Sequence, residues 1–546
     1  MTGSAPSRPV DAVVVGAGFA GLYQLYRLRE LGLTTRVFDT AGDVGGTWYW
    51  NRYPGARCDI ESMAYSFSFS VELEQEWNWS ERYATQPEIL RYAGHVADRF
   101  DLRKDITFST KVTSAVYDQS AHNWTVTTDA GETVTARFVI MATGCLSAAN
   151  LPRIPGIDSF AGHIYHTGRW PHDGVDFTGK RVAVIGTGSS GIQSIPLIAE
   201  QAAELRVFQR TANFTLPAGN RPLSEEEVRE RKARYPDFRE MLRYSKTGFL
   251  KPLPAYGALE VSAEEREATY QAAWESGVLA ALTSVFNDIL VNWEANETAA
   301  EFVRDKIRSI VEDPETAELL CARDYPIGTK RPCLDTGYYA TYNKPHVHLV
   351  NVRKTPIEEI TEEGIRTSEH EYEFDAIVFA TGFDAMTGAL AAIDIRGKHG
   401  LALREKWAAG PRNYLGLLSA GFPNLFTVTG PLSPSVLTNM MISIEQHVDW
   451  ITDCITHLRS NGLTEIDTTT EVENAWTEHV AEVASGTLYP QAASWYMGAN
   501  VPGKPRVFMP YLGGVGAYRE KCSAVAADGY AGFILSSHAS SPVEVP

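Results

Sequence analysis

The sequence predicts an α/β protein built on two Rossmann-like dinucleotide-binding domains, with a helical insertion in the second. Three observations predict this class. Gly16-Ala-Gly18-Phe-Ala-Gly21 follows the apolar run Ala12-Val13-Val14-Val15. Gly186-Thr187-Gly188-Ser189-Ser190-Gly191 follows Val182-Ala-Val184-Ile185. Between residues 215 and 325 the pattern becomes polar and helical.

Residues 11–39 read as strand, glycine turn, helix and strand, with Asp39 closing the second strand at Val37-Phe38-Asp39. The glycines serve a tight turn, close approach of backbone to a pyrophosphate, and close helix–strand packing. The pyrophosphate then lies at a helix N-terminus, where free N–H groups and the helix dipole favour an anion. A carboxylate about 20 residues further on is placed to accept hydrogen bonds from an adenosine ribose. The glycines alone are a weak signal; strand, helix and acid in the right order make it specific.

Residues 181–211 repeat the pattern with one change. The second strand ends Phe208-Gln209-Arg210-Thr211, so an arginine stands where the first unit has an acid. A carboxylate there repels a 2′-phosphate, whereas a guanidinium binds it with paired hydrogen bonds. Ser189 adds a hydroxyl, and this unit is expected to prefer NADPH over NADH.

Two later runs, Ile140-Met141-Ala142-Thr143-Gly144 and Ile377-Val378-Phe379-Ala380-Thr381-Gly382, read as buried strands ending in small-residue turns. Backbone can approach a cofactor closely at such turns. Their spacing predicts an interrupted path. The first nucleotide domain occupies 1–145 and resumes at 385–546, ending in a short frayed tail. The second occupies 146–214 and 326–384, and the insertion 215–325. Within the insertion, three segments open at Ser224, Ser262 and Thr298, each with a glutamate three residues on, the spacing of a capping box.

Composition narrows the function. The 546 residues carry a net charge of -18, which argues against a nucleic-acid partner. No apolar run approaches the roughly 20 residues of a membrane helix, and the first residues have no apolar signal core. A cytoplasmic protein that engages no membrane is expected. The six cysteines are scattered with no C-x-x-C pair. That disfavours a disulfide framework, a zinc site and a flavin–dithiol relay, and no metal is expected.

The segment Phe160-Ala-Gly162-His-Ile-Tyr-His166-Thr-Gly-Arg-Trp170-Pro171 meets the pattern FxGxxxHxxxWP at every specified position. Gly45-Gly46-Thr47-Trp48-Tyr-Trp-Asn-Arg-Tyr53-Pro54-Gly55-Ala-Arg-Cys-Asp59 meets GGxWxxxxYPGxxxD. On both, the chain resembles the type I Baeyer–Villiger monooxygenases, and the likeness extends to Ser494-Trp495-Tyr496-Met-Gly498-Ala-Asn500 near its end. Within the family it is most similar to the phenylacetone and steroid branch, on residues 52–62 and on 433–440 with their bulge at Ser435 and Val436. It departs from that branch at Leu432, where close relatives have glycine, and at Cys145, where the phenylacetone enzyme has glutamine.

The resemblance implies FAD and NADPH as cofactors. NADPH would reduce FAD, and reduced flavin would add O2 to give a C4a-peroxyflavin. That species would attack a ketone, leaving an ester or lactone. The implied partners are O2 and an aromatic, steroid or other bulky or cyclic ketone, with sulfides as secondary substrates. The chain would act as a monomer or weak oligomer.

The resemblance also assigns residues. Arg331 would be the active-site cation, oriented by Asp59. An arginine suits this task because it stays protonated and donates in a rigid fork. FAD would be held by Gly16, Gly18, Gly21, Asp39, Thr47, Trp48, Asp59, Tyr65, Val112 and Met440. NADP would be held by Gly186, Thr187, Gly188, Ser189, Ser190, Gly191, Arg210, Thr211, Lys330, Arg331 and Trp495. Leu146, Ser435, Val436 and Leu437 would line the substrate pocket. His166 tempts as a general acid, but its place between the domains fits hydrogen bonding to backbone better. Three other classes compete: an N- or S-oxygenating flavin enzyme, a disulfide reductase, and a non-catalytic nucleotide-binding protein.

Overall fold

In the computed structural model, which describes residues 8–249 and 254–537, the run Val10–Val15 is an inner strand of an eight-stranded sheet. It pairs in parallel with Thr35–Phe38 on one side and Thr133–Met141 on the other. Beyond Thr133–Met141 lie Asn123–Thr128 and Val112–Asp118, both antiparallel. Two strands from far along the chain join the same sheet: Asp394–Arg396 beside Val112–Asp118, and Leu425–Thr427 beside Thr133–Met141. The chain therefore leaves this sheet after Met141 and returns to it some 250 residues later.

The second sheet is wholly parallel. Its order is Val347–Asn351, Glu204–Gln209, Arg181–Ile185, Ala376–Phe379 and His163–His166. Parallel strands covered on both faces read as unbroken apolar runs, which is why 182–185 and 376–379 are entirely buried. The motif at 160–171 supplies the edge strand of this sheet, and Trp170 is buried against Tyr165 and Phe177.

The two glycine loops are built alike. The Gly16 N–H donates to the Phe38 carbonyl at 2.8 Å, and the Gly186 N–H to the Phe208 carbonyl at 3.1 Å. Both glycines are left-handed, at φ 111° and 110°. A Cβ on Gly16 would fall 2.4 Å from the Ala142 carbonyl oxygen, and one on Gly186 would fall 2.5 Å from that of Ala380. Any side chain there fails on conformation and on space together. We expect Gly16→Ala to purify without bound flavin, checked by its visible absorbance; a normally yellow protein would contradict this.

The insertion follows its capping signals in two of three places. Ser224 and Glu227 form the reciprocal capping box of the helix Glu225–Ala233, and the Ser262 hydroxyl accepts from the Glu265 N–H at 3.2 Å. The third helix starts earlier than expected. It spans Trp293–Ile310, capped by Asn292, whose side chain accepts from the Ala295 N–H at 3.1 Å. Thr298 lies inside it, donating to the Ala295 carbonyl at 2.7 Å. Asparagine caps as well as threonine, and the buried face already begins at Ala295, so the helix must open before it.

The insertion also serves both units rather than the second alone. Val228, Tyr235, Phe238 and Leu242 pack into the core of the first sheet, where Arg239 pairs with Glu74 at 2.7 Å in a buried contact. The helices Ala263–Glu275, Trp293–Ile310 and Pro314–Leu320 pack into the core of the second. An amphipathic pattern says that a helix has a buried face; it does not say which neighbour covers it. At the other end, Phe533–Ser536 pairs antiparallel with Glu465–Thr468, and the expected tail beyond it lies outside the described residues. Among the described residues no helix is long and apolar enough to cross a membrane.

Candidate active site

The first glycine loop leads into a continuous set of contacts. The Asp39 carboxylate accepts from the backbone N–H groups of Ala17 and Ala41. Burial pushes its pKa up, and those two donors pull it down. An ionised carboxylate offers about four lone-pair positions, so capacity remains for ribose hydroxyls. Gly45 N–H donates to the Ala17 carbonyl at 3.1 Å, and Gly46 lies Cα against Gly18, where a Cβ on Gly46 would approach to 2.9 Å. Thr47 and Trp48 open the short helix Thr47–Trp50, and the Trp48 indole donates to the Tyr65 hydroxyl at 3.2 Å. Met440 begins the long helix Met440–Ser460 and packs partly buried on the same core. Val112 packs with Val15 and Phe38, the neighbours of Gly16 and Asp39, and two residues before it the Thr110 N–H donates to the Asp39 carbonyl at 2.9 Å.

The second loop opens onto free space. A Cβ on Gly188 would meet no atom within 4 Å, just ahead of the helix Ser189–Ala199. Behind it, Gly191 packs on Gly186. The Thr187 hydroxyl donates to the Thr211 carbonyl at 2.9 Å, Ser190 meets Thr167 at 3.0 Å, and Ser189 meets the Cys333 thiol at 3.1 Å. This cradle fits a dinucleotide pyrophosphate: open backbone N–H groups at a helix N-terminus, with no side chain in the way.

Cations converge beside it. Lys330 lies 4.3 Å over the Tyr325 ring. Burial first, and then the Arg210 charge, bring its pKa down to about 8; Asp324 opposes this and Arg353 adds to it. Arg353 donates to the Thr211 hydroxyl at 3.1 Å and pairs with Asp324 at 2.7 Å. Lys330, with two arginines close enough to repel it beside the paired strands Glu204–Gln209 and Val347–Asn351, fits an anion such as a 2′-phosphate. Sequence reasoning named Arg210, Thr211 and Lys330 but missed Arg353. It follows the neighbouring strand Val347–Asn351, and only the sheet order brings it here.

Between the two units lies Arg331. Its Nε donates to Asp59 Oδ2 at 2.5 Å, its Nη2 to Asp59 Oδ1 at 2.8 Å, and its Nη1 to the Val436 carbonyl at 2.9 Å. Burial works against the guanidinium charge, but Asp59 outweighs it and holds the pKa above the usual arginine value. Asp59 is carried by a loop that packs on the second unit. There Tyr53 donates to Gln193 at 2.8 Å, and a Cβ on Gly55 would fall 2.3 Å from the Gln193 carbonyl oxygen.

Two tyrosines that the sequence reasoning missed, Tyr496 buried and Tyr489 half-buried, face the same cation. Tyr496 interacts directly with Arg331, and burial keeps its phenol protonated. Burial pushes Tyr489 up to about 12, with Arg331 pulling it the other way. Tyr496 adjoins Trp495, with ring centroids 4.2 Å apart, so the signal was one residue away.

An apolar wall surrounds this cation. Leu146, Val436, Leu437 and Trp495 cluster with Met386 and Phe508. A strained segment leads into Val436 of this wall. Thr429, Leu432 and Ser435, none of them glycine, are left-handed at φ 53°, 67° and 38°. Such residues cost on the order of 1–3 kcal/mol each and gather at functional sites. The left-handed conformation at position 432 favours glycine; here a buried leucine adopts it.

His166 is placed elsewhere. Its Nδ1 accepts from the Gly168 N–H at 2.9 Å, so the proton resides on Nε2, facing Thr381 at 3.4 Å. Burial lowers its pKa to about 4, against the bond to the Asn150 backbone, so it is neutral at physiological pH.

Residues 13–233 match the family described as pyridine nucleotide-disulphide oxidoreductases. That stretch holds both glycine loops, whereas all six cysteines of the chain are free and buried. The chain is 44% identical to 2-oxo-Delta(3)-4,5,5-trimethylcyclopentenylacetyl-CoA monooxygenase of Pseudomonas putida, over 98% of this chain and all of that protein. A structure of oxidised steroid monooxygenase bound to NADP superimposes with a TM-score of 0.93 at 55% identity, covering 97% of this chain and 100% of that one. A closed structure of cyclohexanone monooxygenase superimposes with a TM-score of 0.95 at 46% identity, over 97% and 100%. The likeness therefore reaches both branches. The paired nucleotide folds, the two sequence patterns and these alignments agree: the chain belongs to the type I Baeyer–Villiger monooxygenases, FAD- and NADPH-dependent enzymes that insert oxygen beside a ketone carbonyl.

Proposed function

We propose that Arg331, held by Asp59, is the cation at the reacting centre, and that the substrates are bulky ketones: aromatic, steroid or cyclic. The observation that carries this is the guanidinium clamped between the Asp59 carboxylate and the Val436 carbonyl, where the two nucleotide units meet. When bound, FAD supplies the electron transfer from NADPH and the activation of O2. The protein supplies charge and position. Three of five Arg331 donors are committed; two are left to serve Tyr496 and an oxygen that gains negative charge. A fixed cation favours an anionic oxygen by lowering its pKa. Asp59 keeps the fork oriented and moderates its charge. The phenols of Tyr489 and Tyr496 stay neutral, so they add no competing anion.

On this reading, residues 1–145 and 385–546 form the FAD unit. Residues 146–214 and 326–384 form the NADPH unit, and 215–325 span both. FAD lies along Gly16, Gly18, Gly21, Asp39, Thr47, Trp48 and Tyr65. NADPH lies along the second glycine loop, with its 2′-phosphate among Arg210, Thr211, Lys330 and Arg353. His166 braces the backbone between the units. The chain acts as a monomer or weak oligomer. Six reduced, buried thiols support a cytoplasmic setting.

The test is NADPH consumption against a panel of ketones, amines and sulfides, with mass spectrometry of the products. Bulky ketones should gain one oxygen atom. Oxygenation of amines with every ketone untouched would overturn the proposal.

Lys330 adds a pH signature. It is protonated below about 8 in the free protein and neutral above, and only the protonated form attracts a phosphate. We expect kcat/KM for NADPH to fall as pH rises through about 8, while that for NADH stays flat. Lys330→Met should remove the difference; parallel profiles for the two cofactors in the parent protein would contradict it.

A further inference from the structure

The strained segment around 429–437 does more than line the pocket, because the carbonyl of its Val436 is a partner of Arg331. Left-handed non-glycine residues persist only where their surroundings hold them. Here the restraints can be named. The Thr429 N–H donates to His447 Nδ1 at 3.0 Å. That fixes the proton of this buried imidazole on Nε2, directed at the Tyr518 hydroxyl at 2.8 Å, which in turn donates to the Leu415 carbonyl. The Leu432 N–H donates to the Met509 carbonyl at 2.6 Å.

The Trp476 indole also donates to the Leu432 carbonyl at 3.1 Å, and the Asn413 amide to the Pro431 carbonyl at 2.8 Å. The restraint that reaches both Thr429 and Ser435 is Cys145. Its Sγ lies 3.1 Å from the Thr429 carbonyl and 3.1 Å from the Ser435 hydroxyl, and Ser435 Oγ lies 3.3 Å from the same carbonyl. Three heavy atoms share two hydrogens in a closed triangle. The thiol and the serine can both donate to the carbonyl, or the thiol to the carbonyl and the serine to the sulfur, or the thiol to the serine and the serine to the carbonyl. Each arrangement ties the loop after the strand Thr133–Met141 to two left-handed residues. One of them, Ser435, immediately precedes the carbonyl that Arg331 binds.

We propose that Cys145 is a positioning residue for Arg331. Its thiol locks Thr429 and Ser435, and through them the Val436 carbonyl, against the guanidinium. The inference rests on Arg331 being the cation at the reacting centre. It makes Cys145 neither a nucleophile nor a plain piece of pocket wall. A wall residue would change the KM for a bulky ketone and leave the yield of ester per NADPH alone. A positioning residue would change kcat and that yield, because a misplaced guanidinium lets reducing equivalents end as hydrogen peroxide.

The experiment compares Cys145→Ser, Cys145→Ala and the parent holoenzyme with a ketone that the parent converts. Ester, NADPH and hydrogen peroxide are measured together, with anaerobic reduction of the flavin by NADPH alongside. Serine keeps the triangle and should keep the parent's ester yield. Alanine removes it and should lower ester kcat about fivefold, the order of one lost buried hydrogen bond, with hydrogen peroxide making up the balance. Flavin reduction should be equal in all three. Should Cys145→Ala not give soluble flavoprotein, Ser435→Ala opens the same triangle from its other end and should uncouple likewise. Parent-like yield in the variants that open the triangle, or equal losses in Cys145→Ser and Cys145→Ala, would overturn the inference. Arg331→Ala run in parallel separates the two ideas. If it still forms ester, the underlying reading fails; if it is inactive while Cys145→Ala is fully coupled, only the role of Cys145 fails.

Discussion

Arg331→Ala is expected to remain a yellow protein whose flavin is reduced by NADPH but which makes no measurable ester. Removing one preorganised donor from a developing negative charge typically costs about 10²–10³-fold in rate. Arg331 supplies both the charge and the donors, so the loss should reach at least the upper end of that range. Reduction should survive because the contacts proposed for NADPH run along the second glycine loop and the cations beside it, most of which do not touch Arg331. Arg331→Lys should be nearly as damaging. An ammonium cannot engage both Asp59 oxygens and the Val436 carbonyl with the fork that the guanidinium presents. Asp59→Asn should fall between them, keeping the neighbour but losing its charge. The measurement is ester formation by gas chromatography beside stopped-flow flavin reduction. Ester formation by Arg331→Ala within tenfold of the parent would remove this arginine from the reacting centre.

Arg210→Ala should raise the KM for NADPH by about 10- to 100-fold, the loss expected for charge-assisted hydrogen bonds to a phosphate. The KM for NADH should hardly change, because NADH carries nothing at that position. Arg353→Ala should act in the same direction and more weakly. Its charge is already shared with Asp324, and its other partner is the Thr211 hydroxyl. The double variant tests whether the two cations meet one anion: its loss should then exceed the sum of the two single losses, since in each single variant the remaining cation compensates in part. An equal rise in KM for both cofactors would show that Arg210 supports the fold of the site rather than reading the phosphate.

Much of this protein could be read from local signals. Both glycine loops, their strands, Asp39 and Arg210 obey fixed spacings, because a βαβ unit closing on a pyrophosphate permits few alternatives. The helices of the insertion were legible where a cap adjoins the first apolar turn, as at Ser224 and Ser262. At Thr298 the same pattern recurred inside a helix already begun. A hydroxyl that donates to its own helix carries the same sequence signal as one that caps.

Other features had no local signal. Arg353 has no motif and reaches Thr211 only because Val347–Asn351 pairs with Glu204–Gln209. Tyr489 stands in no motif, and Tyr496 stood in the matched stretch with no role of its own; only the fold sets both against Arg331. The split of the insertion between two cores depends on which buried face meets which neighbour, and packing decides that.

By itself the sequence determined the class, the two nucleotide units and the cofactor preference. Each depends on residues close in the chain, or on a pattern whose spacing is fixed by the group it binds. The arginine–carboxylate pair, whose members stand 272 positions apart, was implied only by the family resemblance. The tertiary structure alone decided what presses on that pair: the Val436 carbonyl, the tyrosines and the strained turn behind Cys145. Those contacts join residues hundreds of positions apart, and a left-handed backbone at Thr429 or Ser435 has no signature in a side chain that does not favour it. Only the surrounding hydrogen bonds hold it there.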